Sequence, residues 1–196
     1  MQTFKKRYLT RPQQLFSMIK AMRRQAKKIK DLNEHQKINP ALCEKVMLAV
    51  SGVTNCVYCS YLHAKNALEK GVCDSEIVKL LNCEFGDFPE HEATALLYGQ
   101  HWAETDGRPE ANVKMRVMEY YGKEKLDHLE TIIRALYMGN LVSNTVEAYQ
   151  NGVRPYKNNL GFLLVYLLCK PMAFFIRTSG KRGKNFLKDK KISFIT

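Results

Sequence analysis

With 196 residues the chain has the length for one helical domain with a real hydrophobic core. Its net charge of +12 sits at the two ends: residues 1 to 30 hold ten Lys and Arg and no acid, and residues 170 to 196 hold eight against the single Asp189, so the body between is mildly acidic. Six cysteines at irregular spacing exclude a disulfide scaffold, and a start without a continuous apolar run and small-residue cleavage site argues against a secretory signal, so a reducing cytoplasm is the expected location.

In chain order, Leu15, Ile19, Met22, Ala26 and Ile29 recur at spacings of four and three, opposite the basic residues. That periodicity predicts an amphipathic arm over residues 1–37, lying on the body or on a second subunit. Few aromatics interleave its cations, so no nucleic acid is expected as a partner. Asn39-Pro40 supplies an N-cap and a first-turn proline for a helix through Val50, which Ser51-Gly52 is expected to end. Thr54 or Asn55 then caps a helix from about Asn55 to Lys70, stopped by Gly71.

Asp74-Ser75-Glu76 opens another short helix, and Asp87-Phe88-Pro89-Glu90 has the spacing of a capping box before a helix through about Ala103. The loop from Thr105 to Pro109 precedes a helix around 110 to 120. A long helix follows from Lys123 to Tyr149, with Leu126, Leu129, Ile133, Leu136, Tyr137, Leu141 and Val142 at helical intervals. No alternating strand pattern occurs, so the expected class is all-α, with a helical domain over 38–155. Residues 156–196 form an apolar helix and a basic tail. The stretch LGFLLVYLLCKPMAFFIR, 160 to 177, is broken by Lys170-Pro171 and is short for a bilayer span. It reads first as a buried or oligomer-interface helix, and second as an interfacial anchor on anionic membrane.

The chemistry concentrates in SGVTNCVYCSYLHAKNALEKG, residues 51 to 71. At 100° per residue Cys56, Cys59 and His63 share one stripe of a helix, while Val57, Tyr61, Ala64 and Leu68 form an apolar stripe expected to pack inward. The unpaired N–H groups of a helix start favour a thiolate at Cys56, and His63 is spaced to exchange a proton with Cys59. A dithiol with an adjacent base is a redox centre, because one thiolate attacks a peroxide or disulfide and the second thiol closes the C-x-x-C disulfide. The same spacing also makes half of a zinc site, but further ligands would have to come singly from Cys43, Cys73, Cys83, His91 or His101, and no metal is expected. Glu44, flanked by Met47 and Leu48 on the preceding helix, can orient His63 and stabilise it when protonated. No Gly-rich nucleotide loop occurs, so no flavin or nicotinamide cofactor is expected.

Glu44, eleven residues, then Cys56-x-x-Cys59-x-x-x-His63 resembles the active-site signature of alkylhydroperoxidase D-like proteins in the carboxymuconolactone decarboxylase superfamily. Similarity runs more weakly through FPEHEATALLYGQHWAE and MGNLVSNTVEAY, covering about residues 38 to 150. The resemblance implies a multi-helix orthogonal bundle with the dithiol near the N-terminus of a central helix, a homo-oligomer, and thiol-dependent reduction of hydroperoxides with a dithiol or disulfide as electron donor. It assigns Cys59 as the thiol oxidised to sulfenic acid, Cys56 as proton donor and resolving thiol, and His63 with Glu44 as the proton relay. Where alkylhydroperoxidase D has a histidine beside the second cysteine, this chain has Tyr58, a candidate for substrate contact or an altered relay. Asn140 and Asn144 resemble an Asn pair of some family members and read either as groove-lining or as interhelical amides. The superfamily's decarboxylases lack the cysteine pair, so the expected activity is peroxidase or disulfide reduction. The readings from other classes are a zinc-binding structural module and a membrane-surface interaction protein with a non-catalytic fold.

Overall fold

The computed structural model describes residues 4–35 and 38–171, together with 174, 185, 186, 188 and 189, the side chains of 26–35 lying outside the description. Its described residues form helices and connecting turns, with no strand among them: α1 (Gln13–His35), α2 (Pro40–Thr54), α3 (Val57–Glu69), α4 (Asp74–Leu81), α5 (Glu90–Glu104), α6 (Ala111–Tyr121), α7 (Lys123–Gln150) and α8 (Leu160–Leu168). The expected all-α bundle is what is found.

The centre of the bundle is α2, which packs against α3, α4, α5 and α7. It starts as expected, with the Asn39 side chain accepting from the Ala41 N–H and Pro40 in the first turn. Surrounded on all sides, it presents no polar face: Val46, Leu48, Ala49, Val50 and Val53 are all fully buried. Two of its neighbours meet it through complementary shapes. At Gly99 of α5 an added Cβ would lie 3.0 Å from Val46 Cγ1, and Ile133 of α7 closes the same layer. Lys45, 8 % exposed, reaches out of this core to two carboxylates, Glu76 of α4 at 2.8 Å and Glu92 of α5 at 2.7 Å.

Ser51-Gly52 does not end α2, contrary to the sequence reading. A Cβ on Gly52 would stand 2.5 Å from the Leu81 carbonyl oxygen, so the glycine is the point where α4's last turn lies against α2. The helix continues to Thr54 and is stopped by Asn55, which takes the left-handed conformation at φ 54°. Asparagine is among the few side chains that enter this region readily. The expected capping box at Asp87 is also absent: Pro89 holds the N-cap position of α5 without a side-chain cap, and Asp87 pairs with Lys79 of α4 at 2.6 Å.

Residues 4 to 12, expected as the start of the amphipathic arm, are stitched into the body. The Arg7 N–H donates to the Thr54 carbonyl at 3.1 Å and the Leu9 N–H to Thr145 Oγ1 at 2.8 Å, and Leu9 is fully buried. On α1 the face toward the core is Leu15 and Met18, with Met22 half-buried, while Ile19 turns outward beside Phe16. The side chains of Ala26 and Ile29 lie outside the described residues.

In α8, Phe162 and Val165 face inward, and Leu160, Leu164, Leu167 and Leu168 face solvent. The helix is therefore one-sided, not apolar and buried all round. Most of the 172–196 tail lies outside the described residues. Among the described residues no helix is long and apolar enough to cross a membrane.

Candidate active site

The turn that Asn55 makes between α2 and α3 decides where the two cysteines point. Chain reversal at Asn55 leaves Cys56 with an extended backbone as the N-cap of α3, its N–H donating to the Ser51 carbonyl at 3.3 Å. Neither Thr54 nor Asn55 caps α3; the Cys56 sulfur does, accepting the Cys59 N–H at 3.4 Å. This is the position where a negatively charged group is stabilised by the free amides of a helix start. Cys59 sits within the first turn, and its sulfur accepts the Cys56 thiol hydrogen across 2.7 Å. Both cysteines are free thiols, 1 % and 5 % exposed.

The Cys stripe is thus in the core, not at its edge. The expected inward stripe divides: Val57 and Ala64 are buried, whereas Leu68 is exposed. The cause is α7, whose Ser143 comes within 3.8 Å of Cys59 Sγ and is itself buried. Burial, reinforced by the adjacent Cys56, pushes the Cys59 thiol well above its ordinary value, and the Ser143 hydroxyl works in the opposite direction. At rest Cys59 is therefore protonated, and its activation needs a base.

One helical turn on from Cys59, His63 Nδ1 makes a 2.8 Å hydrogen bond with Glu44 Oε2. The second Glu44 oxygen accepts from Lys70 Nζ, also at 2.8 Å. Glu44 is buried, which alone would raise its pKa, but the hydrogen bonds and charges of His63 and Lys70 outweigh that and hold it below the usual carboxylate range. An ionised carboxylate bonded to Nδ1 fixes the ring's orientation and favours the tautomer whose Nε2 can accept a proton. Glu44 and His63 are thus brought together by the packing of α3 on α2, and Cys56 and Cys59 by the first turn of α3.

The remaining sequence candidates fall in two places. Tyr58 is half-buried between the cysteines, its phenol pKa raised by burial and by the two sulfurs. Asn140 and Asn144 are fully buried interhelical amides of α7. Asn140 Nδ2 donates to Thr54 Oγ1 at 2.7 Å and Ser51 Oγ at 3.3 Å, and Asn144 Nδ2 donates to the carbonyls of Thr54 and Arg7, each at 2.9 Å. They fasten the end of α2, and so the turn that presents Cys56, and their amide nitrogens face α2 and the N-terminal segment. Among the described residues no group of three or more His, Cys, Asp and Glu is arranged to hold a metal ion.

Two residues of this site escaped the sequence reading. Lys70 lies seven residues after His63, on the same helical face, a spacing that would have flagged it. Ser143 is 84 residues from Cys59 and carries no local signal.

Residues 15–84, from the start of α1 through the end of α4, match the model of the carboxymuconolactone decarboxylase family. Over this stretch the chain is similar to that family. The matched segment of the family contains Glu44, Cys56, Cys59, His63 and Lys70, whereas Ser143 and both Asn residues lie beyond it on α7. No curated protein and no solved structure matches the chain.

Proposed function

We propose that this protein is a thiol-dependent peroxidase that reduces an organic hydroperoxide through Cys59 and Cys56. The observation that carries the reading is the pairing of a 2.7 Å sulfur–sulfur approach at the start of α3 with a 2.8 Å Glu44–His63 hydrogen bond one turn further along. The carboxymuconolactone decarboxylase family includes alkylhydroperoxidase-like members, which agrees with it.

His63 Nε2 takes the Cys59 proton, and Glu44 stabilises the imidazolium that results. The Cys59 thiolate attacks the distal peroxide oxygen, the O–O bond breaks, and Cys59 becomes a sulfenic acid while the alkoxide leaves. The proton held on His63 passes to that alkoxide, giving an alcohol. Cys56, already within 2.7 Å, then attacks the Cys59 sulfur. Hydroxide is displaced and takes up the Cys56 thiol proton as water, and the Cys56–Cys59 disulfide forms. Two thiols and one hydroperoxide give one disulfide, one alcohol and one water. An external dithiol donates the two electrons and two protons that reopen the disulfide.

Burial and the neighbouring thiol suit this order of events. A standing thiolate at Cys59 would oxidise indiscriminately, whereas a protonated Cys59 reacts only when His63 is in place. The test is turnover of cumene hydroperoxide with a dithiol reductant. Wild-type protein is expected to turn over, Cys59→Ser to be inert, and Cys56→Ser to consume one equivalent and stop at the sulfenic acid. Equal turnover by wild type and Cys59→Ser would overturn the proposal.

A further inference from the structure

Helices α1 and α8 both pack on α7; Gly161 at the start of α8 is seated against the Pro12 ring just before α1, and Leu168 at its end lies beside α1. The outer stripe of α8 carries Leu160, Leu164, Leu167 and Leu168, at intervals of four, three and one, and all four are at least half exposed. Beyond the end of α8 Phe174 is 65 % exposed, and on α1 Phe16 is 58 % exposed. Between the two helices lies a groove of about 630 Å³ whose apolar lining is Phe16, Ile19 and Leu168 and whose polar lining is Lys20, Arg23 and Arg24. Among the described residues no acidic side chain lines it.

We propose that this α1–α8 face docks on an anionic membrane surface. Monomeric proteins rarely expose so many large apolar side chains together, and such a patch marks a contact surface. Its charge selects the occupant. The α1 cations lie beside the leucine stripe of α8, as where leucines and phenylalanines sit in the acyl boundary and Lys and Arg lie against phosphates. A second copy of this chain would bring Lys20, Arg23 and Arg24 into a field of the same sign, since the first 30 residues contain ten basic side chains and no acid. Anionic headgroups neutralise that cluster. Because α8 is nine residues long and one-sided, it lies along the surface and does not enter it end-on. The inference is independent of the peroxidase reading, since none of the groove residues belongs to the dithiol site.

The test is co-sedimentation of the full-length protein with vesicles of equal parts phosphatidylcholine and phosphatidylglycerol, and with vesicles of phosphatidylcholine alone. Pelleting is expected with the mixed vesicles only, and to weaken as ionic strength rises from ~0.05 M to ~0.5 M and the Debye length contracts. The double variant Arg23→Glu/Arg24→Glu is expected to lose more than about tenfold in partitioning. Leu164→Ser/Leu168→Ser, at solvent-facing positions that leave the core intact, is expected to lose binding with an unchanged circular dichroism spectrum. Failure of the wild type to pellet at low salt would overturn the proposal, as would pelleting that neither variant reduces. A leucine variant that splits an oligomer in light scattering, with no vesicle binding by the wild type, would assign the face to a second copy instead.

Discussion

The His63 imidazole and the Glu44 carboxylate meet at 2.8 Å across the packing of α3 on α2, and Lys70 holds the other carboxylate oxygen at the same distance. A single buried acid thus orients the ring that stands one helical turn on from Cys59. Glu44→Gln is expected to keep the fold and slow the oxidation of Cys59 by about a hundredfold, the usual worth of a positioned general base. Stopped-flow consumption of hydroperoxide under single-turnover conditions measures it. A rate within threefold of wild type, on the order of 0.7 kcal/mol in barrier, would remove Glu44 from the relay.

The same carboxylate makes stability depend on pH. Its folded-state pKa is depressed, so the stabilisation is fully present above the unfolded carboxylate value and is lost as pH falls through the lower folded one. The acid limb of the stability curve therefore begins below the ordinary value of 4.5. Urea midpoints measured from neutral pH downward are expected to fall there for the wild type and to fall less steeply for Glu44→Gln. At neutral pH the variant is expected to be less stable by about 1–3 kcal/mol, since His63 and Lys70 lose a charged acceptor.

Ser143 approaches Cys59 from α7 and is the group that offsets its burial. When Cys59 ionises, the serine hydroxyl can rotate from accepting to donating. Ser143→Ala is expected to move the pH midpoint of Cys59 alkylation upward by roughly one unit, about 1.4 kcal/mol, and Ser143→Thr to restore it. Exposed Cys73 alkylates independently of the site, so the measurement is made in a Cys73→Ser background.

Gly52→Ala places a methyl 2.5 Å from the Leu81 carbonyl, a backbone atom that moves only with α4. It is expected to destabilise the protein by about 2 kcal/mol, as overpacking of a filled core does. Gly139, in α7 with open space around its Cβ direction, is the control. Gly139→Ala is expected to gain about 0.5–1 kcal/mol. Parallel urea titrations of the two variants separate helix propensity from the close approach.

The helices and the dithiol were legible because both rest on local signals: the Asn39-Pro40 cap opened α2, apolar spacing drew α7, and i, i+3, i+7 spacing set Cys56, Cys59 and His63 on one stripe. What was misread depends on neighbours far along the chain. Gly52 reads as a helix stop until Leu81 is known to lie against it. Asp87 has capping-box spacing, but Lys79 takes it. The N-terminal segment through Leu9 looks like solvated basic chain, and only its hydrogen bonds to Thr54 and Thr145 bring it into the body. Asn140 and Asn144 were equally consistent with a groove and with an interhelical contact, a choice made by the end of α2 and by Arg7. Cys56 as N-cap follows from the left-handed Asn55, a backbone state that asparagine permits without dictating.

The central claim is that Cys56 and Cys59 act as one redox unit, and peptide mass mapping tests it most directly. Reduced protein is given a small excess of cumene hydroperoxide, quenched by alkylation and digested. The account predicts rapid, joint loss of alkylation at Cys56 and Cys59 in a single internally bridged peptide, with Cys43, Cys73, Cys83 and Cys169 still free. Retention of both Cys56 and Cys59 as alkylatable thiols, or their oxidation in separate peptides linked to other cysteines, would contradict it.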